Sequence, residues 1–277
     1  MQNLGSYLEQ VHKQSPLVHN ITNYVTVHDV ANAIIASGAS PVMTDGAIED
    51  VKAMAAIASG LNVNIGTPTN DYEEVCLKAV EAQAQGSNII VLDPVGAGAT
   101  EYRTNLCKSI LDTHKVSLIK GNLSEIKALF TDEAQTKGVD ADIADKATED
   151  NLDSLIEQMQ MWAAQYELII VATGEIDIVL DPFRAFAVYN GSPMMSEITG
   201  SGCMLSGVLT AYVAANPKDQ LSAALAALCA FGIAGERAEQ LTLERGHGNA
   251  TFSNYLIDEL YLMDAERLDE NADYEQR

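Results

Sequence analysis

Short apolar stretches alternate with stretches of helical periodicity along most of the chain. Residues 25–37 repeat apolar side chains at helical spacing, whereas residues 88–92 have the length and composition of a buried strand. The predicted strands of this kind are 17–21, 40–43, 61–65, 88–92, 116–119 and 168–171. Because a helical stretch separates each strand from the next, the pattern predicts right-handed β–α–β units and a mainly parallel sheet.

The pattern changes in the second half of the chain. Residues 131–151 are polar and acidic, which indicates a surface loop, and 177–180 and 185–189 predict two paired strands around Asp181-Pro182. The sheet is therefore expected to gain antiparallel strands in its C-terminal part. Three further helices are predicted, at 204–215, 221–243 and 252–263. We expect one α/β domain over residues 1–263, followed by an acidic, frayed tail over 264–277.

The charge balance narrows the choice of partners. The chain has 277 residues, with 39 acidic against 16 basic side chains and a formal net charge of -23. Such a chain would repel a nucleic-acid backbone or an anionic membrane unless it carried a basic patch, and the sequence contains none. We therefore expect neither as a partner. An anionic substrate would need a metal ion or helix-end dipoles to bind.

The cysteines and the N-terminus bear on the compartment. Cys76, Cys107, Cys203 and Cys229 are widely spaced, which favours neither a zinc site nor a disulfide framework. The first residues lack the basic and apolar regions of a secretory signal, and no window approaches 18 uninterrupted apolar residues. We therefore expect a soluble, cytoplasmic protein.

A glycine-rich stretch, Glu197-Ile198-Thr199-Gly200-Ser201-Gly202-Cys203, precedes the helix predicted at 204–215. Its glycines would let the backbone approach a ligand, and the unpaired N–H groups of a helix start favour an anion. Cys203 lies at that positive end, where we expect a lowered pKa and a thiolate that could act as a base. Alternatively, the stretch is only a helix N-cap with small residues for close packing.

Polar side chains follow several of the predicted strands, where ligands bind in open α/β sheets. They are Asn23, Asp45, Asn64, Thr67, Asp93, Lys120, Asn122, Glu125, Thr173 and Glu175. Carboxylates near an anion-binding loop suit Mg²⁺ that bridges phosphate oxygens. Purely structural interpretations are also open. Asp93 could form a turn, Glu125 could close a capping box with Asn122, Lys120 could be solvated and Thr173 could belong to a β-turn.

Taken together and in their order, these motifs resemble the hydroxyethylthiazole kinase family of the ribokinase-like superfamily. The matching stretches are 15–23, 38–43, 61–67, 92–99, 120–125, 137–140, 172–175 and 199–203. They run through nearly the whole chain, apart from the acidic tail and the middle of the 131–151 loop. The resemblance implies a ribokinase-like three-layer α/β/α fold.

The resemblance also implies an activity, the ATP-dependent phosphorylation of the hydroxyl of 4-methyl-5-(2-hydroxyethyl)thiazole in thiamine salvage. ATP would be the co-substrate and Mg²⁺ the cofactor, and the protein would be a homotrimer with sites near the subunit contacts. By position, Met43, Gly200 and Asn23 would bind the thiazole alcohol. Lys120 and Thr173 would bind ATP, although family members often have arginine in place of this lysine.

The remaining implied roles concern the metal and the base. Asp93 and Glu125 would organise Mg²⁺ and its waters, and Cys203 would replace the aspartate base usual in ribokinase-like enzymes. That cysteine argues against two sibling activities, hydroxymethylpyrimidine kinase and nucleotide-dependent hydrate dehydratase, whose glycine loops typically end in aspartate. A non-catalytic thiazole- or nucleotide-binding protein of the same fold is a further alternative.

Overall fold

The computed structural model describes residues 3–44, 46–131 and 146–277. Asp45, the 137–140 stretch and most of the predicted 131–151 loop lie outside the described residues. The strands are β1 (Leu17–Ile21), β2 (Ser40–Met43), β3 (Gly60–Asn64), β4 (Ile90–Asp93), β5 (Leu118–Asn122), β6 (Ile169–Thr173), β7 (Asp177–Leu180), β8 (Ala185–Val188) and β9 (Tyr274–Gln276). They form one sheet in the order β2-β1-β3-β4-β5-β6-β7-β8-β9.

Helices separate most of these strands. They are α1 (Gly5–Gln14), α2 (Val27–Ala36), α3 (Ile48–Ile57), α4 (Tyr72–Gln83), α5 (Glu101–Leu111), α6 (Leu123–Phe130), α7 (Leu152–Tyr166), α8 (Ser201–Ala215), α9 (Gln220–Glu244), α10 (Asn249–Tyr261) and α11 (Ala265–Asn271). A short 3₁₀ helix at Pro193–Glu197 leads into α8 and was missed by the periodicity, because five residues are too few to show it.

The sheet is parallel in its centre and antiparallel at one side. Strands β1 to β6 pair in parallel, whereas β7 pairs antiparallel with β6 and β8. The turn between β7 and β8 forms because the Asp181 carboxylate accepts hydrogen bonds from the backbone N–H groups of Phe183 and Arg184, at 2.8 and 2.7 Å. Both the parallel sheet and the antiparallel strand pair predicted from the sequence are thus confirmed.

Each face of the sheet is covered by helices and has its own hydrophobic core. Successive strand residues point to opposite faces, so that Val91 belongs to one core and Leu92 to the other. Helices α1, α2 and α8 to α11 supply the first core, and α3 to α7 supply the second. The three-layer α/β/α arrangement is therefore confirmed. Asn64, Asp93 and Lys120 lie on the face covered by α8, whereas Glu125 lies on α6.

Helix α9 is long and apolar enough, by length and composition, to cross a membrane, but 89% of its apolar window is buried inside the protein. It packs between α8 and α10, and residues such as Ala226 and Phe231 are almost fully buried. It is a core helix. The cytoplasmic location stays a prediction.

The acidic residues 264–277 are ordered, so the expectation of a frayed tail is wrong. The Asp264 side chain caps α11, and the fully buried Leu268 anchors this helix in the core. Strand β9 then pairs antiparallel with β8, with Val188 opposite Tyr274. Tertiary burial and backbone pairing, which charge composition does not reveal, hold this segment in place. The domain boundary at residue 263 stays a prediction.

Candidate active site

A buried row of polar side chains crosses the carboxyl ends of the parallel strands, beneath the N-terminus of α8. Asn64 ends β3, Asp93 ends β4 in register with it, and Lys120 lies on β5. The exposed fractions of these three residues are 0%, 1% and 4%, so none of them is a solvated surface group. The expected gathering of strand-end residues is therefore present, and it includes an ionic pair removed from water.

Asp93 is the centre of this row. Its Oδ2 accepts hydrogen bonds from Asn64 Nδ2 at 2.8 Å and Ser206 Oγ at 2.7 Å, and Lys120 Nζ lies 3.7 Å away. Burial raises the pKa of the Asp93 carboxyl, while the ammonium of Lys120 acts in the opposite direction. The other oxygen, Oδ1, is buried without a hydrogen-bond partner in the structure. Because a buried unpaired carboxylate oxygen is costly, this atom marks a place for a ligand.

Lys120 is held between Asp93 and the start of α8. Its Nζ donates to the Gly202 carbonyl at 3.0 Å, so the ammonium is fixed beneath the glycine-rich stretch. A Cβ at position 202 would lie 2.8 Å from this Nζ. Glycine at 202 therefore serves the close approach of a charged side chain, as well as the approach of a ligand.

Cys203 Sγ receives hydrogen bonds from two asparagine side chains. Asn64 Nδ2 donates at 3.2 Å and Asn23 Nδ2 donates at 3.4 Å. The backbone fixes both amides in this orientation, because Asn64 Oδ1 accepts from Gly66 N and Asn23 Oδ1 accepts from Thr26 N. Cys203 and Asn23, predicted separately from the sequence, thus belong to one cluster.

The expected lowering of the Cys203 pKa is wrong. The thiol is 9% exposed, and burial, followed by the nearby Asp93 carboxylate, raises its pKa. Lys120 and hydrogen bonds from Thr26 and Asn64 act in the lowering direction. The sequence placed Cys203 correctly at a helix start but could not show how deeply that start is buried. At neutral pH, Cys203 is therefore mainly a thiol and not a thiolate.

Gly200 and Met43 were also predicted to belong to the site. Gly200 has a φ of +87° at the N-cap of α8, and a Cβ there would lie 2.5 Å from Thr26 Cγ2. Met43 ends the edge strand β2 and packs, partly buried, against the core cluster that contains Cys203. Their predicted contact with a thiazole alcohol stays a prediction.

Glu125 combines the two roles that the sequence left open. It closes a capping box, because its Oε2 accepts from Asn122 N at 2.9 Å and Asn122 Oδ1 accepts from Glu125 N at 2.8 Å. Its Oε1 accepts from Gly96 N at 2.8 Å, which ties it to the loop that follows Asp93. Each carboxylate oxygen retains a second acceptor site, so the cap does not exclude a metal-bound water.

The residues present fit Mg²⁺ that keeps most of its waters. No group of three or more His, Cys, Asp or Glu side chains able to hold a metal ion occurs in the described residues, which argues against an all-protein cage. Mg²⁺ is usually bound through one or two carboxylates together with substrate phosphates. The unpartnered Oδ1 of Asp93 supplies such a position, with Glu125 held beside the same loop.

We predict that Glu125→Gln raises the Mg²⁺ concentration required for half-maximal turnover by about tenfold, as for other groups that orient metal-bound water. It should also lower the free energy of unfolding by about 1 kcal/mol, because glutamine has one carbonyl oxygen and can accept from Asn122 N or from Gly96 N but not from both. A magnesium titration and a thermal melt measure the two effects. Asp264→Ala, which removes the cap of α11, is the matched control. An equal shift of the magnesium titration in both variants would contradict the role of Glu125.

A cleft of about 870 Å³ opens beside the polar row. Its walls come from the starts of α6 and α8, the β6–β7 turn, the 3₁₀ helix and the segment after β8. Thr173, at the end of β6, lines this cleft, and its Oγ1 donates to the Gly121 carbonyl at 3.3 Å. Gly202 also lines the cleft, so the cleft reaches the residue that holds Lys120.

Three residues that organise the site had no predicted role, although Asn64 was among the polar residues expected at the strand ends. Asn64 bridges Asp93 and Cys203, and Ser206 donates to Asp93. Arg103 donates to the carbonyls of Ile65, Gly66 and Val95, which joins the loops after β3 and β4. Ser206 could have been found from its position three residues after Cys203, on the same face of an apolar helix. Arg103 gives no local signal, since its partners are backbone atoms.

Comparison with known proteins agrees with this geometry. The model of the hydroxyethylthiazole kinase family matches residues 8–266. The chain belongs to this family. It is 44% identical to the hydroxyethylthiazole kinase of Clostridium acetobutylicum over 272 residues, which cover 98% of this chain and 99% of that relative. It shares 38% identity with the hydroxyethylthiazole kinase of Methanobrevibacter smithii, over 97% of this chain and 94% of that one.

Solved structures of the family and superfamily align with this chain. The hydroxyethylthiazole kinase protein from Pyrococcus horikoshii OT3 aligns with a TM-score of 0.86 and 35% identity over 100% of both chains. A ribokinase-like superfamily protein from Enterococcus faecalis V583 aligns with a TM-score of 0.59 and 14% identity over 93% of each chain, which bears on the fold alone. Membership of the family makes this chain a phosphotransferase and implies the use of ATP.

Proposed function

We propose that this protein transfers the γ-phosphoryl group of ATP to the hydroxyl of 4-methyl-5-(2-hydroxyethyl)thiazole. One observation carries the proposal. Gly202 lines the cleft and accepts a hydrogen bond from Lys120, while the next residue, Cys203, contacts Asn23 and Asn64. A cleft with room for a nucleotide and a buried polar cluster therefore adjoin each other at the start of α8. Phosphoryl transfer requires the phosphate donor and the acceptor hydroxyl to lie next to each other in this way.

The nucleotide would lie in the cleft, with Thr173 on its wall and its phosphates directed toward the start of α8. The first backbone N–H groups of a helix lack intrahelical partners, and Lys120 adds a fixed positive charge beneath them. Protein contacts hold Lys120 in place, so little reorganisation is needed as charge develops on the transferred group. We assign positioning and charge stabilisation, rather than covalent chemistry, to this part of the chain.

The metal would be held through its waters by Asp93 and Glu125. When bound, Mg²⁺ supplies neutralisation of the phosphate oxygens. Asn64 and Ser206 keep the Asp93 carboxylate oriented, and the capping box keeps Glu125 in place. Because the net charge of the chain is -23, local positive charge at this point matters more than the overall field.

Cys203 would face the hydroxyl of the acceptor, with Met43, Gly200 and Asn23 forming the acceptor side. Its buried thiol has a raised pKa, so the thiolate is a minor species at neutral pH. In a loose transition state the acceptor hydroxyl need not lose its proton early, so the proton can be transferred late in the reaction. We therefore assign Cys203 the role of proton acceptor, with an activity that increases as the pH rises.

A trimer with sites near the subunit contacts is also part of the proposal. Tyr24 and Val25, which directly follow Asn23, are 79% and 55% exposed. Large apolar side chains exposed beside a site are typical of an interaction surface. Sedimentation at the mass of a 29.7 kDa monomer would contradict this assembly.

One assay separates this function from its alternatives. ATP consumption is measured with the thiazole alcohol, with hydroxymethylpyrimidine, or with no acceptor. We expect turnover that depends on the thiazole alcohol. Faster turnover with the pyrimidine alcohol would favour the sibling kinase. ATP-dependent repair of a nicotinamide hydrate would favour the dehydratase. Ligand-induced thermal stabilisation without turnover in any arm would identify a non-catalytic binding protein.

A further inference from the structure

Three side chains at the rim of the cleft form a small hydrogen-bonded and ionic cluster. Arg277 Nη2 donates to Glu149 Oε2 at 2.8 Å and to Tyr189 Oη at 3.2 Å. Tyr189 Oη in turn donates to Glu149 Oε1 at 2.9 Å. We call Arg277, Tyr189 and Glu149 the rim clamp. Its members come from the end of β9, the residue after β8 and the segment before α7.

The rim clamp joins two walls of the cleft that are distant in sequence. Tyr189 lines the cleft on one wall, and Lys146 and Ala147, close before Glu149, line another. Arg277 therefore reinforces a connection between the 146–149 segment and the residue after β8 that Tyr189 also makes directly.

Hydrogen bonds to the C-terminal segment and to α9 also hold the residues that follow β8. Asp273 N donates to Asn190 Oδ1 at 2.7 Å, and Asn190 Nδ2 donates to the Asn271 carbonyl at 3.0 Å. Glu236 of α9 accepts from Asn190 Nδ2 and from Gly191 N, at 3.1 and 2.9 Å. Several hydrogen bonds thus fix Asn190 and Gly191, and Arg277 connects this side of the cleft to Glu149.

Charge gives the rim clamp a second effect. Glu149, Glu275 and Asp153 all lie within 4 Å of the Arg277 guanidinium, at 2.8, 3.0 and 3.8 Å. In a chain with a net charge of -23, this arginine offsets part of the negative charge of three carboxylates close to the cleft. Without it, these carboxylates would repel an anionic ligand.

We propose that Arg277 is a positioning residue for the nucleotide, which it favours by helping to fix the 146–149 wall and by offsetting part of the negative charge of Glu149, Asp153 and Glu275. The inference rests on the proposed function, because it takes the cleft as the nucleotide site. It assigns to Arg277 an effect on nucleotide affinity and none on the acceptor alcohol, whose side of the site lies at Asn23, Met43 and Gly200.

The test measures ATP and alcohol kinetics, together with equilibrium binding of ADP by calorimetry, on the full chain. Arg277→Ala should raise the KM for ATP and the Kd for ADP about threefold, as expected for loss of an exposed ionic network, with kcat and the alcohol KM unchanged. The increase should shrink at high salt. Arg267→Ala is the matched control, since Arg267 pairs with Glu259 in the same C-terminal region away from the cleft.

A charge exchange distinguishes the rim clamp from a general effect on stability. Arg277→Glu should weaken ADP binding more than Arg277→Ala, and the addition of Glu149→Arg should recover it. Tyr189→Phe, which removes a single hydroxyl, should weaken binding less than Arg277→Ala and without loss of thermal stability. Unchanged ADP binding in Arg277→Ala, equal losses in Arg267→Ala, or no recovery in the double variant would overturn the proposal. If the wild-type chain bound no nucleotide, the proposed function would fail first, and this inference with it.

Discussion

Asp93→Ala is expected to lower kcat by about 10²- to 10³-fold, comparable to the loss of a preorganised electrostatic group in other enzymes. The variant removes the carboxylate whose unpartnered Oδ1 marks the metal position, so magnesium should no longer rescue activity at moderate concentration. It also leaves Lys120 buried without its partner, 3.7 Å from an empty position. Breaking a buried ion pair from one side typically costs about 3 kcal/mol of folding free energy. Turnover and denaturant unfolding measure the two losses.

A double variant separates the catalytic loss from the loss of stability. Asp93→Asn combined with Lys120→Met replaces the ion pair with neutral side chains of similar size. We expect this variant to recover most of the lost folding free energy, because no buried charge remains unpaired. It should recover no activity. Restored turnover in the double variant would show that Asp93 acts only by balancing Lys120.

Cys203→Ala is expected to reduce turnover strongly, whereas Cys203→Asp should remain active at neutral pH. The reason is the state of ionisation. Burial raises the pKa of the thiol, so in the wild type the proton-accepting form increases as the pH rises toward that pKa. We therefore expect wild-type turnover to rise by up to about tenfold per pH unit below the pKa of the thiol. An aspartate has a much lower intrinsic pKa than a thiol, so Cys203→Asp should ionise at lower pH and reach its plateau earlier than the wild type.

The pH dependence of kcat for the three proteins provides the check. Cys203→Ala should lose the rising limb along with most of its activity. A rising limb that persisted in Cys203→Ala would assign the titration to another group. Equal turnover in Cys203→Ala and the wild type would remove Cys203 from the chemistry and leave it as a packing residue between Asn23 and Asn64.

The strands and their polar ends could be predicted from the sequence, because an apolar run and the residue after it define both. Asn23, Asp93 and Lys120 were found in this way, and Cys203 was found from the glycine-rich stretch before a helix. The fold brings the four together. The direction of the Cys203 pKa shift could not be predicted, since it depends on how α8 packs over the sheet. The order of residues 264–277 was missed for a similar reason. The burial of Leu268 and the pairing of β9 with β8 hold this segment in place, although most of its residues are charged or polar.

Asn64 illustrates a different limit. Its position at a strand end was visible in the sequence, but nothing in the sequence showed that one amide would serve two partners. Asn64 Nδ2 donates both to Asp93 and to Cys203, and this is possible only because Gly66 N fixes the amide orientation. Roles of this kind follow from the fold and not from the local pattern.

The approach of Lys120 to Gly202 links the two positions in evolution. With Nζ 2.8 Å from the place of a Cβ and close to Asp93, the lysine would have to shift to admit alanine at 202. A shorter side chain at position 120 would make room for a larger residue at 202, but it would remove the positive charge of Lys120. The reverse order of substitutions would pass through a crowded site. We therefore expect these positions to change together or to stay as they are.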